Sequence, residues 1–151
     1  MAKFVFKMEN ILEVKRKLED QAKSVYASAL AVLDEEQQRL SCLEQQREGY
    51  KEQLASMMVA LLNIEQIRTL EDAVEVMKYR IHEQMVRVQD AQIKAERARQ
   101  TLQAAMVERK TYEKLKEKAF EEFKLELNAQ EKKEVDELVS YTYSRSTEEV
   151  G

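Results

Sequence analysis

His82 is the only histidine and Cys42 the only cysteine in the chain. A metal site would need further ligands at metal spacing, and no pair of cysteines or histidines supplies them. Covalent catalysis would need a nucleophile with a neighbouring base, and phosphate binding would need a glycine-rich loop; the sequence has neither. Acidic side chains number 29 and basic ones 25. They recur at helix-surface spacing, as in Glu9/Glu13 and Lys110/Lys114, which reads as a solvated face. Catalytic carboxylates need a cleft that paired helices do not form. Cys42, beside Leu43, reads as a small, partly buried thiol, and His82, beside Ile81, as a partly exposed structural histidine. A single cysteine allows no intrachain disulfide and fits a reducing compartment. No enzyme activity, cofactor or metal is expected.

The elements that carry these side chains must be helices. There is no proline, and glycine occurs only at Gly49 and Gly151. Average usage would give roughly 18 such residues in a chain of this length. Sandwiches, barrels and nucleotide-binding α/β sheets, all built on tight turns, are excluded. Lys, Glu, Gln, Ala, Leu and Met dominate, and all favour helix. With 36% charged residues the chain can bury a narrow seam but no broad core. The net charge of −4 gives no basic face for nucleic acid. It is unevenly spread: 9 basic and 10 acidic residues over 1–60, 12 and 10 over 61–118, 4 and 9 over 119–151. The N-terminal MAKFVFKMENILEVKRK lacks an apolar run of signal-peptide length. The longest apolar stretch, Met57 to Leu62, is six residues, against about 20 for a spanning helix. A soluble protein with no membrane insertion is expected.

Apolar residues follow the 3.5-residue repeat of a coiled coil. In the first segment Phe4, Met8, Ile11, Lys15, Leu18, Ala22, Val25 and Ala29 alternate in steps of four and three. After a slip of one residue the repeat continues through Leu33, Glu36, Leu40, Leu43, Arg47, Tyr50, Leu54, Met57 and Leu61. That slip reads as a stutter, a local unwinding of the supercoil. The second segment keeps one phase through Ile67, Leu70, Val74, Met77, Ile81, Gln84, Val88, Ala91, Ala95, Ala98, Leu102, Ala105, Arg109, Tyr112, Lys116, Ala119 and Phe123. So long a repeat implies a left-handed supercoil with a partner helix.

Asn63-Ile64-Glu65-Gln66 is the best helix start, with Asn63 as cap and Gln66 able to close a capping box. Thr69-Leu70-Glu71-Asp72 is a weaker one. The fold predicted is all-α: a long antiparallel two-helix coiled-coil hairpin with a longer C-terminal helix, forming one domain over 1–151. Helix 1 is expected over about 4–61, the turn over about 61–68, and helix 2 over about 64–146, with an overhang beyond about 124. Gly49 is the rival turn, but Tyr50 and Leu54 follow in phase, so a tolerated helix glycine costing about 1 kcal/mol is preferred. In this register Phe4 falls opposite Phe123 and Tyr50 opposite Met77. Past Phe123 the seam positions Glu126, Gln130, Lys133 and Glu137 turn polar, just where the shorter helix runs out. A mainly monomeric chain, over about 80% helical, is the expectation.

The opening Phe4-Val5-Phe6-Lys7-Met8, then Ile11-Leu12-Glu13-Val14-Lys15 and Glu19-Asp20-Gln21-Ala22, resemble segments of the flagellar export protein FliJ family, and further such segments follow. Towards the other end are Tyr112-Glu113-Lys114-Leu115-Lys116 and Glu131-Lys132-Lys133-Glu134-Val135-Asp136-Glu137, with Lys132 where the family usually has glutamine. Leu70, Val74, Met77, Ile81 and Gln84 follow the family's pattern after the turn, although Leu70 and Ala73 replace its aromatics. The resemblance implies a cytoplasmic component of the type III export apparatus, peripheral to the inner membrane at the flagellar base. Members of this family are antiparallel coiled coils similar to the central stalk of rotary ATPases. They bind the export ATPase ring, promote its assembly and activity, and contact the export gate and export chaperones. Two other readings stay open: a plain coiled-coil scaffold or homodimer, and a chaperone that holds unfolded clients between apolar tips.

Two sets of site residues follow from the stalk reading. The open end is expected to meet the ATPase through Phe4, Phe6, Lys15, Arg16 and Lys17, with Glu131, Lys133, Asp136 and Glu137 on the overhang. Phe4 is read as a staple to Phe120 and Phe123, and Phe6, off the seam, as the better contact. The resemblance points to a second patch, for the gate, at Leu43, Tyr50, Met77 and Gln84. Arg39, Gln46, Ala73 and Arg80 also fall there but depart from the family's residues. Because these positions also lie in the seam, Tyr50 and Gln84 are expected to stay at least about a third exposed, and Met77 less so.

Overall fold

The structure is a computed structural model that describes residues 2–60 and 63–150. Helix α1 spans Glu9–Ala60 and helix α2 spans Ile64–Val150. No strand occurs among the described residues. Residues 61 and 62, part of the expected turn, lie outside the described set.

Both helix starts have a local cause. The Met8 carbonyl accepts the Leu12 N–H at 3.0 Å, which closes the first turn of α1. Glu9 places a carboxylate at the positive end of the helix dipole. Residues 2–8 therefore precede the helix, which begins later than the expected residue 4. Asn63 caps α2 as expected: its Oδ1 accepts the Glu65 N–H at 3.0 Å and its carbonyl accepts the Ile67 N–H at 3.2 Å. The weaker start at Thr69 is inside the helix, and its hydroxyl donates back to the Glu65 carbonyl at 2.9 Å. Gly49 lies within α1, and a β-carbon there would meet nothing within 4 Å.

Packing divides the chain into two compact units. One joins Met1–Leu18 to Ala105–Gly151, and the other is Glu19–Ala104. In the second unit α1 and α2 run antiparallel on either side of the turn. Every predicted α2 position there, from Ile67 to Leu102, is buried or half-buried. Met77, Ile81, Gln84, Val88, Ala91, Ala95 and Ala98 of α2, with Glu19 and Ala22 of α1, are its buried residues. In the first unit the start of α1 lies antiparallel to the later part of α2. The predicted positions Ala105, Arg109, Tyr112, Lys116, Ala119 and Phe123 are all half-buried. Leu12, with no exposed surface, is its best-packed side chain. From residue 128 to 148 every side chain is exposed.

The seam of α1 corrects the expected phase. Residues 12, 15, 19, 22, 26, 29 and 33 are buried or half-buried, and the same alternation of three and four continues to Met57. There is no stutter. The expected seam residues Met8, Ile11, Leu18 and Val25 are exposed instead, Val25 by 59%. The choice of phase turned on Ile11 against Leu12, Leu18 against Glu19 and Val25 against Tyr26. Hydrophobicity favoured the wrong member of two of those pairs. A carboxylate can occupy a seam when a cation neutralises it, and Lys23 Nζ lies 3.3 Å from Glu19 Oε1.

Candidate functional site

In the first unit the chain preceding α1 folds against α2. The Phe4 ring meets Phe120 edge-on at 5.1 Å and is tilted against Phe123 at 5.5 Å, the expected staple. Phe6 is also buried, at 8% exposure, so it is not the accessible contact that the sequence suggested. Helical phase put Phe6 off the seam, but Phe6 precedes the helix and its direction is not set by that phase. Lys15 Nζ lies 2.8 Å from Glu108 Oε2 and 5.9 Å from the centre of the Tyr112 ring. The hydrogen bond that Lys15 donates to the Glu108 carboxylate raises the Lys15 pKa above the ordinary lysine value. Arg16 approaches Glu113 at 3.7 Å, Arg109 bonds Glu113 at 2.8 Å, and Lys116 bonds Glu9 at 2.9 Å. Arg16 and Lys116 border an open trough of about 460 Å³, floored by Phe4 and Phe120. Lys17 is exposed.

Glu131, Lys133, Asp136 and Glu137 are exposed on the final stretch of α2. They are joined there by residues that the charge pattern did not pick out. Val135, Leu138, Val139, Tyr141 and Tyr143 are all more than half exposed. Val135, Leu138, Val139 and Thr142 follow the i, i+3, i+4, i+7 rule of a single helical face. That spacing was visible in the sequence, where the seam positions past Phe123 were read alone.

In the second unit a trough of about 400 Å³ is lined by Arg39, Leu43, Gln46 and Gln84, with Cys42 at its edge. The structure thus brings Leu43 and Gln84 together with Arg39 and Gln46. Tyr50, Leu43 and Ala73 are half-buried, Arg80 is exposed, and Met77 is 4% exposed. Gln84, expected to be accessible, is only 5% exposed. Its amide Nε2 donates to the Glu36 backbone carbonyl at 2.9 Å and also to the Glu36 carboxylate. A buried amide is retained because its hydrogen bonds are made across the seam. Arg39 forks to Glu35 at 2.7 Å and Glu36 at 3.4 Å. Cys42, expected to be partly buried, is exposed, because it sits one position off the seam. His82 is exposed as well.

The surfaces are long, shallow and charged, with apolar strips. Among the described residues no three His, Cys, Asp or Glu side chains group to hold a metal ion. No described helix is long and apolar enough to cross a membrane. The geometry suits protein–protein contact. A protein-family comparison matches residues 4–148 to the family described as flagellar FliJ protein. The chain belongs to the FliJ family. Membership places it among components of the type III export apparatus. Among solved structures the chain is similar to a Chlamydia trachomatis protein, CT670, described as a YscO homolog. The TM-score is 0.72 at 21% identity, covering 97% of this chain and 99% of that one. At that identity the likeness extends the FliJ-family assignment to the fold alone. No curated protein matches significantly by sequence.

Proposed function

We propose that this chain is a non-enzymatic, stalk-like coiled coil of the flagellar type III export apparatus that binds the export ATPase ring. In this reading it promotes ring assembly and activity from the cytoplasmic side of the flagellar base. It also contacts the export gate and export chaperones. The observation that carries the reading is the family match over residues 4–148, supported by the exposed final stretch of α2. Ring contact is assigned to Glu131, Lys133, Asp136 and Glu137 together with the apolar face at Val135, Leu138 and Val139. Arg16 and Lys17 extend this surface, and Lys15 does so through the Glu108 pair. Phe4 and Phe6 act by holding the leading segment in place.

Gate contact is assigned to the trough in the second unit. Leu43, Arg39, Gln46 and the buried Gln84 line it. The half-buried Tyr50 and the buried Met77 belong to the same assignment but do not line the trough.

The test removes residues 128–151 from the full chain. Ring binding and stimulation of ATP hydrolysis should fall, while circular dichroism shows the remaining helix intact. A truncated chain that stimulates the ATPase as well as the whole one would overturn the ring assignment.

A further inference from the structure

Helix α1 is unbroken from Glu9 to Ala60, yet its N-terminal part carries two apolar repeats side by side. The one in use runs through Leu12, Lys15, Glu19, Ala22, Tyr26, Ala29 and Leu33, all buried or half-buried. The other runs through Ile11, Lys15, Leu18, Ala22, Val25 and Ala29 and rejoins the first at Leu33. The two share every second position and differ only in neighbouring pairs. Leu12 has no exposed surface, while Ile11 is 42% exposed. Tyr26 is half-buried, while Val25 is 59% exposed. Leu18, 44% exposed, leaves its place to the Glu19 carboxylate, which is buried and bridged by Lys23 at 3.3 Å. Burying a carboxylate in preference to the adjacent leucine is costly, and this cost offsets what Tyr26 gains over Val25.

Little resists a turn of the helix from one repeat to the other. In a 3.5-residue repeat each residue advances the helix face by about 103°, so exchanging every second seam position turns the face by roughly 50°. In the second unit the shared positions Ala22 and Ala29 are small, and the α2 seam offers alanine at 91, 95 and 98, so only methyl groups must pass. No charged residue occurs from Ser24 to Leu33. In the first unit the pairs Arg16–Glu113 at 3.7 Å and Glu9–Lys116 at 2.9 Å are each at least a third exposed and hold weakly. The turn ends at Leu33. Beyond it the residues preceding the seam positions Leu40, Arg47 and Leu54 are Arg39, Gln46 and Gln53, all polar, and the Gln84 amide ties Glu36 to α2.

We infer that the N-terminal part of α1 is a two-register switch. In the second register Ile11, Leu18 and Val25 face α2, and Leu12, Glu19 and Tyr26 turn outward. The change of phase is absorbed as a stutter between Val25 and Leu33. This register is the minor one, on the order of 1% of molecules in the free chain. Arg16 and Lys17 turn with the helix, so a partner that binds them in the turned position draws the chain into the second register.

The test follows the methyl groups of the full chain by NMR. Relaxation dispersion, which reads microsecond-to-millisecond exchange, should appear at Ile11, Leu18 and Val25 with one common rate and be absent at Leu40 and Leu43. Leu18→Glu blocks the second register and Glu19→Leu favours the first, so each should flatten the dispersion at the remaining sites, whereas fraying of the helix end would persist in both. Leu12→Ser combined with Tyr26→Ser should populate the second register and protect the Leu18 and Val25 methyls at least about threefold from a soluble paramagnetic agent. Flat profiles at all three sites in the unaltered chain, or dispersion that survives Leu18→Glu, would overturn the proposal. So would a folded double-serine chain in which Leu18 and Val25 stay exposed; where that chain does not fold, the dispersion experiments decide.

Discussion

Gln84 shows how burial changes the meaning of a residue. The repeat placed it in the seam, but a polar side chain in a shallow seam was expected to sit at the edge. Its partner, Glu36, is 48 residues away, and no local pattern links them. The consequence is measurable. Gln84→Ala removes a buried donor and leaves a void, so urea unfolding should show a loss of roughly 1–2 kcal/mol. A freely exposed glutamine would cost less than about 0.5 kcal/mol. Exposed pairs behave differently. Arg99 lies 2.6 Å from Glu96, and this hydrogen bond holds the Glu96 carboxyl below its ordinary range. A depressed folded-state pKa stabilises the chain above the unfolded value and ceases to do so as pH falls through the folded one. The Glu96 titration, followed by NMR, should therefore have its midpoint below that of an ordinary glutamate. Arg99→Gln should return it towards that value.

At the scale of the element, α2 was legible and the first third of α1 was not. The α2 repeat is dense in Leu, Ile, Val and Ala, so one phase dominates from Ile67 to Phe123. In α1 the adjacent pair Ile11–Leu12 supports two phases equally, while Val25 beside Tyr26 and Leu18 beside the buried carboxylate of Glu19 tip the count the wrong way. Substitution separates the phases. Leu12→Ala should destabilise by about 2–5 kcal/mol, as for a fully buried leucine, whereas Ile11→Ala should cost well under that. Similar losses at both sites in urea unfolding would restore the stutter. Gly49 and Asn63 were both readable, because each acts within one turn of its own position. With open space around the Gly49 Cα, Gly49→Ala should add about 1 kcal/mol of stability. Asn63→Ala should remove about 1 kcal/mol through the lost cap.

At the scale of the whole molecule, the residues of the two ends divide into those that hold the fold and those left for a partner. The sequence made this division by heptad phase, which works only inside a helix. Phe6 precedes α1, and that is why its burial was missed. The charged residues past 124 were rightly expected to be exposed, but the apolar face among them was passed over because only seam positions were followed. An apolar face exposed on a helix without a neighbour adds nothing to the stability of the isolated chain, which is why the proposed ring contact includes it. Phe6 has the opposite profile, with its surface already buried by the chain itself. The two should therefore respond in opposite ways. Replacing Leu138 and Val139 together with serine should leave the melting temperature of the rest of the chain unchanged and reduce ATPase stimulation. Phe6→Ala should lower the melting temperature, and any fall in stimulation should track that loss of folded protein. Thermal melts beside ATPase assays on both variants would decide it. Normal stimulation by the serine variant would move the ring contact off this apolar face.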